Sequence, residues 1–166
     1  MSHPIITRPA SPHDLDLIAA LHARVFGPGR FARSAYRVRE GQGLVSRYCR
    51  VADMNGRLIA AVRITSAAIG GKSGAALLGP VAVDPEFHGQ GYGRKLVGEC
   101  LDEMRHEGVR AVVLVGDEPY YRQFGFSIVT PGSIAFPGPV NPGRILALEL
   151  QPGALADYKG LVTAAV

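Results

Sequence analysis

A chain of 166 residues is long enough to enclose a hydrophobic core, and we expect residues 1–166 to form a single domain. Hydrophobic residues make up 47% of the chain and charged residues 19%, a composition that excludes the class of intrinsically disordered proteins. No apolar run approaches the roughly 18 residues that a membrane-spanning helix needs, and the first residues do not resemble a signal peptide. We therefore expect a cytoplasmic protein that does not contact membranes.

The net charge of +4 has two explanations at this level. The charge can belong to an ordinary basic surface, or to basic residues at the entrance of a binding site for a polyanionic cofactor. A nucleic-acid partner is not expected, because the clustered arginines belong to no recognisable nucleic-acid-binding motif. These clustered residues are Arg24, Arg30, Arg33, Arg37 and Arg39.

The two cysteines, Cys49 and Cys100, form no Cys-x-x-Cys pair and have no nearby histidine at the spacing of metal ligands. Cys49 lies in a strand-like run and Cys100 on a predicted helix. We therefore expect two buried free thiols rather than a catalytic nucleophile, and no metal site.

The N-terminal part of the chain predicts one strand and two helices. Residues 4–7 form a short apolar strand, and residues 11–14 start a helix with a capping-box-like pattern and a proline at its first position. Apolar residues at helical spacing follow over residues 15–25. Gly and Pro end this helix at residues 27–29, and a second, basic helix is expected over residues 31–40.

An antiparallel run of strands follows. Residues 47–54 alternate like a strand, Asn55-Gly56 predicts a two-residue hairpin turn, and residues 58–69 form the returning strand. After a glycine-rich turn at residues 70–74, residues 75–83 are apolar nearly throughout, which is typical of a strand buried on both faces. Within this fourth strand Pro80 removes a hydrogen-bond donor, so we expect a bulge or an edge there.

The remaining elements complete an α/β (α+β) fold. In order, they are a helix over residues 92–107, a strand over 111–115, a short helix over 118–124, a strand over 126–129, a Pro/Gly-rich loop over 131–142 and a last strand over 144–150. A hairpin run followed by a strand–helix–strand crossover predicts a mixed, mostly antiparallel central sheet that is flanked by helices on both faces.

The loop before the long helix, His88-Gly89-Gln90-Gly91-Tyr92-Gly93, is the strongest functional signal. Alternating glycines let backbone N–H groups approach a ligand closely, and a helix N-terminus attracts a phosphate. A turn that only connects strand to helix is the simpler alternative. The G-x-G-x-G spacing excludes a dinucleotide fingerprint and a P-loop, which need other spacings.

The segment over residues 77–126, LLGPVAVDPEFHGQGYGRKLVGECLDEMRHEGVRAVVLVGDEPYYRQFGF, resembles the GNAT superfamily of acyl-CoA N-acyltransferases. It is most similar to predicted bacterial N-acetyltransferases in which a Tyr-Tyr-x-x-x-Gly-Phe segment follows the fifth strand. The family's loop pattern, Arg/Gln-x-x-Gly-x-Gly/Ala, begins at His88, which departs from the usual Arg or Gln. The resemblance implies the GNAT fold, with fourth and fifth strands that splay apart.

The resemblance also implies acetyl-CoA as the acyl donor and a set of residues that hold it. Backbone amides of the loop would bind the pyrophosphate, and the fourth strand would pair with the pantetheine amides. The implied cofactor-binding residues are Val81, Ala82, Val83, His88, Gly89, Gln90, Gly91, Tyr92, Gly93 and Arg94. Arg94, Lys95 and Arg122 are candidates for the other phosphate, although each can equally be a solvated surface cation.

The implied reaction is direct attack of a primary amine, on a small molecule or a protein, on the thioester of acetyl-CoA. In the family, a tyrosine four residues before the Gly of the Gly-Phe pair protonates the leaving thiolate, and here it is Tyr121. The alternative is that Tyr120 and Tyr121 only pack. A non-catalytic GNAT-fold module that binds CoA is the other functional interpretation.

The general base and the acceptor are not evident from the sequence. The predicted fourth strand has no carboxylate, so water and several side chains remain candidates: His22, Asp84, Glu86, Asp117 and Glu118. In this family, residues 26–40 and 130–144 would select the acceptor. The first segment is basic and could attract a carboxylate-bearing amine, while the second could be a lid or a dimer contact, which leaves a homodimer open.

Overall fold

A computed structural model describes residues 4–39 and 46–165 of the chain. The strands over these residues are β1 (Ile5–Pro9), β2 (Arg50–Met54), β3 (Arg57–Ile69), β4 (Lys72–Val83), β5 (Ala111–Val115), β6 (Ser127–Ile128), β7 (Ile134–Ala135), β8 (Ile145–Glu149) and β9 (Gly160–Ala164). The α-helices are α1 (Leu15–Phe26), α2 (Ser34–Arg39), α3 (Tyr92–His106) and α4 (Glu118–Tyr121).

The strands form one sheet in the order β1-β2-β3-β4-β5-β8-β6. Strands β4 and β5 are parallel, and the other neighbours along this path are antiparallel. Strand β9 pairs with the C-terminal end of β3 and, in parallel, with β7. The predicted mixed, mostly antiparallel sheet is therefore confirmed.

Helices cover both faces of this sheet, as predicted. The apolar stripe of α3 packs on one face, where Leu96, Val97 and Cys100 contact residues of β3, β4 and β5. On the opposite face, Ile18 and Leu21 of α1 pack against β2, β3 and β4. Helix α2 extends the cover on that second face toward β5. Burial on both faces explains why β4 is apolar nearly throughout.

The two tight turns of the hairpin run follow from residues that tolerate positive φ. Asn55 and Gly56 have φ of 51° and 91°, as a two-residue turn of this kind requires. The second turn occupies only Gly70 and Gly71, so β4 begins earlier than the glycine-rich pattern suggested.

Strand β4 is interrupted where Pro80 predicted it. Val62 pairs with Val81 and Ile64 with Leu78, so Gly79 and Pro80 together lie opposite the single residue Arg63. The Gly79–Pro80 peptide bond is cis. The buried Arg39 side chain donates a hydrogen bond to the Gly79 carbonyl at 2.9 Å, which holds the bulge from the α2 side.

Beyond this bulge β4 and β5 separate. They pair only over three residues of each strand, from Ala75 with Ala111 to Leu77 with Val113. Along its other edge, β5 pairs with β8 over its whole length, from Ala111 to Val115. A gap between the two strands thus opens next to the end of β4.

Several element boundaries differ from the sequence-based prediction. The strand over residues 144–150 is not the last, because β9 follows it, and the loop over 131–142 contains the short strand β7. Both elements depend on pairing with distant residues, such as Thr163 with Ala68, which local patterns do not reveal. The helix over 118–124 changes to a 3₁₀ turn after Tyr121.

The predicted basic helix is shorter than residues 31–40. A 3₁₀ turn over Pro28–Ala32 precedes α2, which begins at Ser34. The expected end of this helix at Glu40 and Gly41 lies outside the described residues.

The entry into α1 depends on one buried carboxylate. Asp14 Oδ2 accepts a hydrogen bond from the Ser11 backbone N–H at 2.8 Å, as the capping-box pattern predicted. Both carboxylate oxygens also accept hydrogen bonds from the Arg8 guanidinium of β1, at 2.8 and 2.9 Å. The hydrogen bonds from Arg8 are the main cause that lowers the pKa of Asp14 to about 2, against the opposing effect of burial.

We expect Asp14→Asn to lower the free energy of unfolding by about 2 kcal/mol at pH 7, because it removes charged hydrogen bonds to Arg8. The folded-state pKa lies below the ordinary value of 3.8, so this contribution is present above about pH 4 and is lost as the pH falls toward 2. Urea unfolding of both proteins from pH 7 to pH 2 measures the difference.

Asp102→Asn is the control, since Asp102 is 84% exposed in its ion pair with Arg105 and should matter little. A difference between wild type and Asp14→Asn that stays constant down to pH 2 would contradict this role of the carboxylate.

Candidate active site

The gap between β4 and β5 opens into a cavity of about 770 Å³ that extends to the N-terminus of α3. Of the ten predicted cofactor-binding residues, nine line this cavity: Val81, Val83, His88, Gly89, Gln90, Gly91, Tyr92, Gly93 and Arg94. Ala82 does not, because its side chain points to the opposite face and packs with Ile18 and Leu21 of α1. Only the main chain of Ala82 can face a ligand in the cavity.

The glycine loop presents backbone N–H groups to this cavity. Gly89 and Gly91 have φ of 77° and 86°, in the left-handed region, and Gly91 is the N-cap residue of α3. The N–H groups of the first turn of any α-helix have no acceptor within the helix. A Cβ atom at Gly89 would have no atom within 4 Å, so the space above the loop is open. These features fit an anionic group such as a pyrophosphate.

Gly93 has a different role in the loop. It is buried, and a Cβ atom there would lie 3.3 Å from Val83 Cγ2 and 3.5 Å from Tyr120 Oη. The third glycine therefore lets the start of α3 lie close to the end of β4.

Tyr121 lies where β4 and β5 separate, at the end of the short helix α4. Its ring packs edge-on against Tyr120, with centroids 4.9 Å apart, and against Phe126. A Cβ atom at Gly116 would lie 2.5 Å from Tyr121 Cε2, so the glycine after β5 makes room for the ring. Tyr121 thus packs against neighbouring aromatic rings and also lines the larger cavity.

Opposing effects act on the pKa of the Tyr121 hydroxyl. Burial disfavours the phenolate and, with the nearby Tyr120, raises the pKa of Tyr121 to about 12. The guanidinium groups of Arg33 and Arg144 act in the opposite direction. The phenol is therefore protonated at neutral pH and lies close to two cations that favour its anion.

A smaller cavity of about 290 Å³ adjoins the first at Tyr121. It lies between the β4 bulge, the start of α2 and the loop over residues 139–141. Five residues line both cavities: Arg33, Val81, Val115, Tyr121 and Arg144. The sheet gap therefore connects two compartments, with the phenol between them.

Two of the three predicted phosphate-binding cations do not line the larger cavity. Arg94 does line it, whereas Lys95 and Arg122 do not. Arg122 instead donates two hydrogen bonds of 2.7 Å to the Glu118 carboxylate on the exposed surface of α4.

The structure places most candidate bases away from the two cavities. His22 is buried, lines neither cavity and binds the Tyr36 hydroxyl through Nδ1. Burial and the arginines around it, Arg39 first, lower its pKa to about 3. Asp84 is buried and paired with Arg24 and Arg57.

Glu86 pairs with Arg57, and Glu118 pairs with Arg122. Neither carboxylate lines a cavity. Among the described residues that line either cavity, Asp117 provides the only carboxylate, and its Oδ1 lies 3.5 Å from Arg144 Nε.

Both cysteines are buried free thiols, as predicted. The Cys49 sulfur accepts a hydrogen bond from the Ile64 backbone N–H at 3.2 Å, and Cys100 donates to the Tyr48 carbonyl at 3.2 Å. Burial raises the pKa of the Cys100 thiol above its ordinary range. Neither residue lines the cavities, so neither is placed to act as a nucleophile there.

Sequence reasoning did not single out Gly116 or Val115, and it included Asn141 and Arg144 only as part of the segment over residues 130–144 that would select the acceptor. Gly116 has a recognisable signal, because it follows a buried strand directly and precedes the tyrosine pair. The other three reach the site only through the tertiary fold.

Over residues 4–39 and 46–165, no cluster of acidic, His or Cys side chains is suited to a metal ion, and no helix is long and apolar enough to cross a bilayer.

Comparison with known proteins agrees with this architecture. Residues 7–129 match the family model of the acetyltransferase (GNAT) domain. The uncharacterized N-acetyltransferase YhbS of Escherichia coli K12 is 30% identical over 159 residues, which cover 95% of each chain.

Two solved structures are also similar. The E. coli YhbS structure in complex with CoA superposes with a TM-score of 0.81 at 29% identity, covering 99% of this chain and 92% of that one. A GNAT acetyltransferase from Brucella melitensis in complex with acetyl-CoA gives a TM-score of 0.66 at 29% identity, covering 92% and 98%.

These matches confirm the predicted fold class, the acyltransferase activity and a CoA thioester as the cofactor of the family. A family model that spans most of the chain, together with a relative of nearly equal length, identifies the protein: it belongs to the GNAT family of acetyltransferases.

Proposed function

We propose that the chain, acting as one domain over residues 1–166, is an N-acetyltransferase that moves an acetyl group from acetyl-CoA to a primary amine of a small molecule or a protein. One observation carries the proposal. The protonated Tyr121 lies where a cavity that begins at a helix N-terminus meets a second cavity through a gap in the sheet. A long donor and a separate acceptor would each have a compartment, and the phenol lies between them.

The larger cavity suits the donor. Main-chain N–H groups from Gly89 to Arg94 would bind the pyrophosphate at the positive end of α3. Strand β5 leaves the edge of β4 over residues 81–83 unpaired, so this backbone can pair with the pantetheine amides. The complexes of YhbS with CoA and of the Brucella melitensis enzyme with acetyl-CoA support a CoA thioester as the donor.

The reaction needs an attacking amine and a proton for the leaving sulfur. Acetyl-CoA supplies an acyl group that is already activated as a thioester. The neutral amine nitrogen attacks the carbonyl carbon, the C–S bond breaks, and its electron pair stays on sulfur. Tyr121 Oη gives its proton to that sulfur and regains one from solvent, while the new amide nitrogen loses its extra proton to water.

The surroundings of Tyr121 suit a general acid. A pKa of about 12 keeps the proton on oxygen until a strong base forms beside it. A new thiolate beside this partly buried phenol would be such a base, because it would lose part of its own solvation. Arg33 and Arg144 would then stabilise the short-lived tyrosinate.

The structure offers little for a general base. Asp117 is exposed and ion-paired with Arg144, and His22 is buried away from the cavities. We therefore propose that water accepts the amine proton. The rate should then rise with pH through the pKa of the acceptor amine and reach a plateau above it.

We expect Gly91→Ala to weaken the binding of CoA about tenfold. The left-handed backbone at Gly91 costs about 1–2 kcal/mol for a residue with a Cβ atom, so the loop would rearrange and turn its N–H groups away. Isothermal calorimetry with CoA measures the change.

Gly98→Ala is the matched control on the same helix, because its Cβ atom would have no atom within 4 Å. It should retain the wild-type affinity and raise the stability by about 0.5–1 kcal/mol. Equal losses of CoA affinity in the two variants would show that the loop geometry does not bind the phosphates.

We expect Tyr121→Phe to lower kcat about 10²-fold, because it removes the proton donor and leaves the ring packing intact. The affinity for acetyl-CoA should stay within about threefold of wild type. Thiol release from acetyl-CoA with a broad panel of amines gives kcat, and calorimetry gives the affinity.

Tyr120→Phe is the matched comparison, since Tyr120 packs against Tyr121 but lines only the larger cavity. A full rate in Tyr121→Phe would refute its assignment as the acid. A wild-type protein that binds acetyl-CoA but acetylates no amine would favour a non-catalytic CoA-binding module.

A further inference from the structure

The smaller cavity carries an unbalanced positive charge. Arg33 and Arg144 both line it, and the described residues that line it include no Asp or Glu. Like charges repel, and burial together with Arg144 lowers the pKa of Arg33. A cavity of this kind favours an anionic guest.

Arg33 has no carboxylate within ion-pair distance over the part of the chain that the structure describes. Its guanidinium instead lies over the Phe26 ring, 4.2 Å from the centroid. This contact positions the cation but leaves its hydrogen-bond donors available for a ligand. Arg144 has a partial partner in Asp117, which lines only the larger cavity.

Arg33 and Arg144 line both cavities, so they lie where the two cavities meet and not in the part of the larger cavity that the glycine loop forms alone. Every residue of the glycine loop lines the larger cavity, and none of them lines the smaller one. The two cavities meet at Tyr121, where the thioester would react, so the smaller cavity lies on the acceptor side of the reacting carbonyl. The anion that these arginines favour is therefore part of the acceptor.

The charge also has a consequence for the amine. Two nearby guanidinium groups disfavour an ammonium ion, which lowers the pKa of a bound amine and raises its neutral, reactive fraction. This effect suits a site in which, within residues 4–39 and 46–165, Asp117 is the only carboxylate that lines either cavity. A negative group on the same acceptor would pair with the guanidinium groups and fix the orientation of the molecule.

From these observations we infer that the acceptor is a small amine that carries a carboxylate, of about the size of a free amino acid, and that Arg33 and Arg144 bind its carboxylate. A volume of about 290 Å³ lies at the lower end of the range for ligand pockets and suits such a molecule. Ser34 and Asn141 provide further polar groups in the lining. This inference rests on the proposed acetyl transfer and names the class of its acceptor.

The test compares amino acids with the matching amino acid amides, which keep the amine and remove the negative charge. Thiol release from acetyl-CoA gives kcat/KM for each pair, with each amine assayed above its own pKa. We expect the carboxylate form of the preferred amine to react at least about 10-fold better, because charge-assisted hydrogen bonds contribute about 10- to 100-fold.

Arg33→Gln and Arg144→Gln should each lower kcat for both acceptor forms, because each removes a cation that stabilises the tyrosinate. Only the carboxylate form should also show a higher KM, so the preference falls toward one, while the affinity for acetyl-CoA stays within about threefold of wild type. Arg105→Gln removes the same charge from the exposed last turn of α3 and should keep the preference.

Three results would overturn the inference while acetyl transfer itself stands. Amides could react as well as carboxylates in the wild-type protein, a lysine-containing peptide could be the best acceptor, or the arginine variants could lose acetyl-CoA affinity and keep the preference. If the protein binds no acetyl-CoA and acetylates no amine, the proposed function itself fails.

Discussion

Strands β4 and β5 pair over only three residues of each strand, and the proposed chemistry depends on the point where this pairing ends. The bulge at Gly79 and Pro80 redirects β4, while β5 continues beside β8. A sheet otherwise satisfies the N–H and C=O groups at its strand edges by pairing. Here the edge of β4 over residues 81–83 is left for another partner, and an extended molecule with amide groups can take that place.

The bulge is held from outside the sheet. Arg39, buried at the end of α2, donates a hydrogen bond to the Gly79 carbonyl. Helix α2 also carries Ser34 and Ala35, which line the smaller cavity, and Arg33 lies directly before it. One short helix thus supports both the gap in the sheet and the wall of the smaller cavity, so the position of the proposed acceptor would depend on the geometry of the strands.

The two compartments differ in how they present positive charge. At the larger one, the N-terminus of α3 offers backbone N–H groups, which suit a phosphate that must approach closely. At the smaller one, the guanidinium groups of Arg33 and Arg144 offer charge on longer side chains. The Tyr121 phenol lies between these two positively charged regions. Its ring packs against Phe126 and occupies the space that the absence of a side chain at Gly116 leaves.

Much of this arrangement could be predicted from the sequence, because local patterns determine it. The Asn55-Gly56 turn, the break at Pro80 and the glycine loop before α3 each follow from the backbone preferences of one or two residues. The parts whose position the sequence could not predict depend on contacts between distant segments. Strand β9 exists through its pairing with β3, and Arg144 lines the cavities because β8 brings it beside β5.

The most direct test of the central claim is a crystal structure of this chain with CoA. We predict the pyrophosphate on the main-chain N–H groups between Gly89 and Arg94, the pantetheine along residues 81–83 of β4, and the sulfur within hydrogen-bond distance of Tyr121 Oη. CoA bound outside the gap between β4 and β5, or with its sulfur remote from Tyr121, would contradict the account.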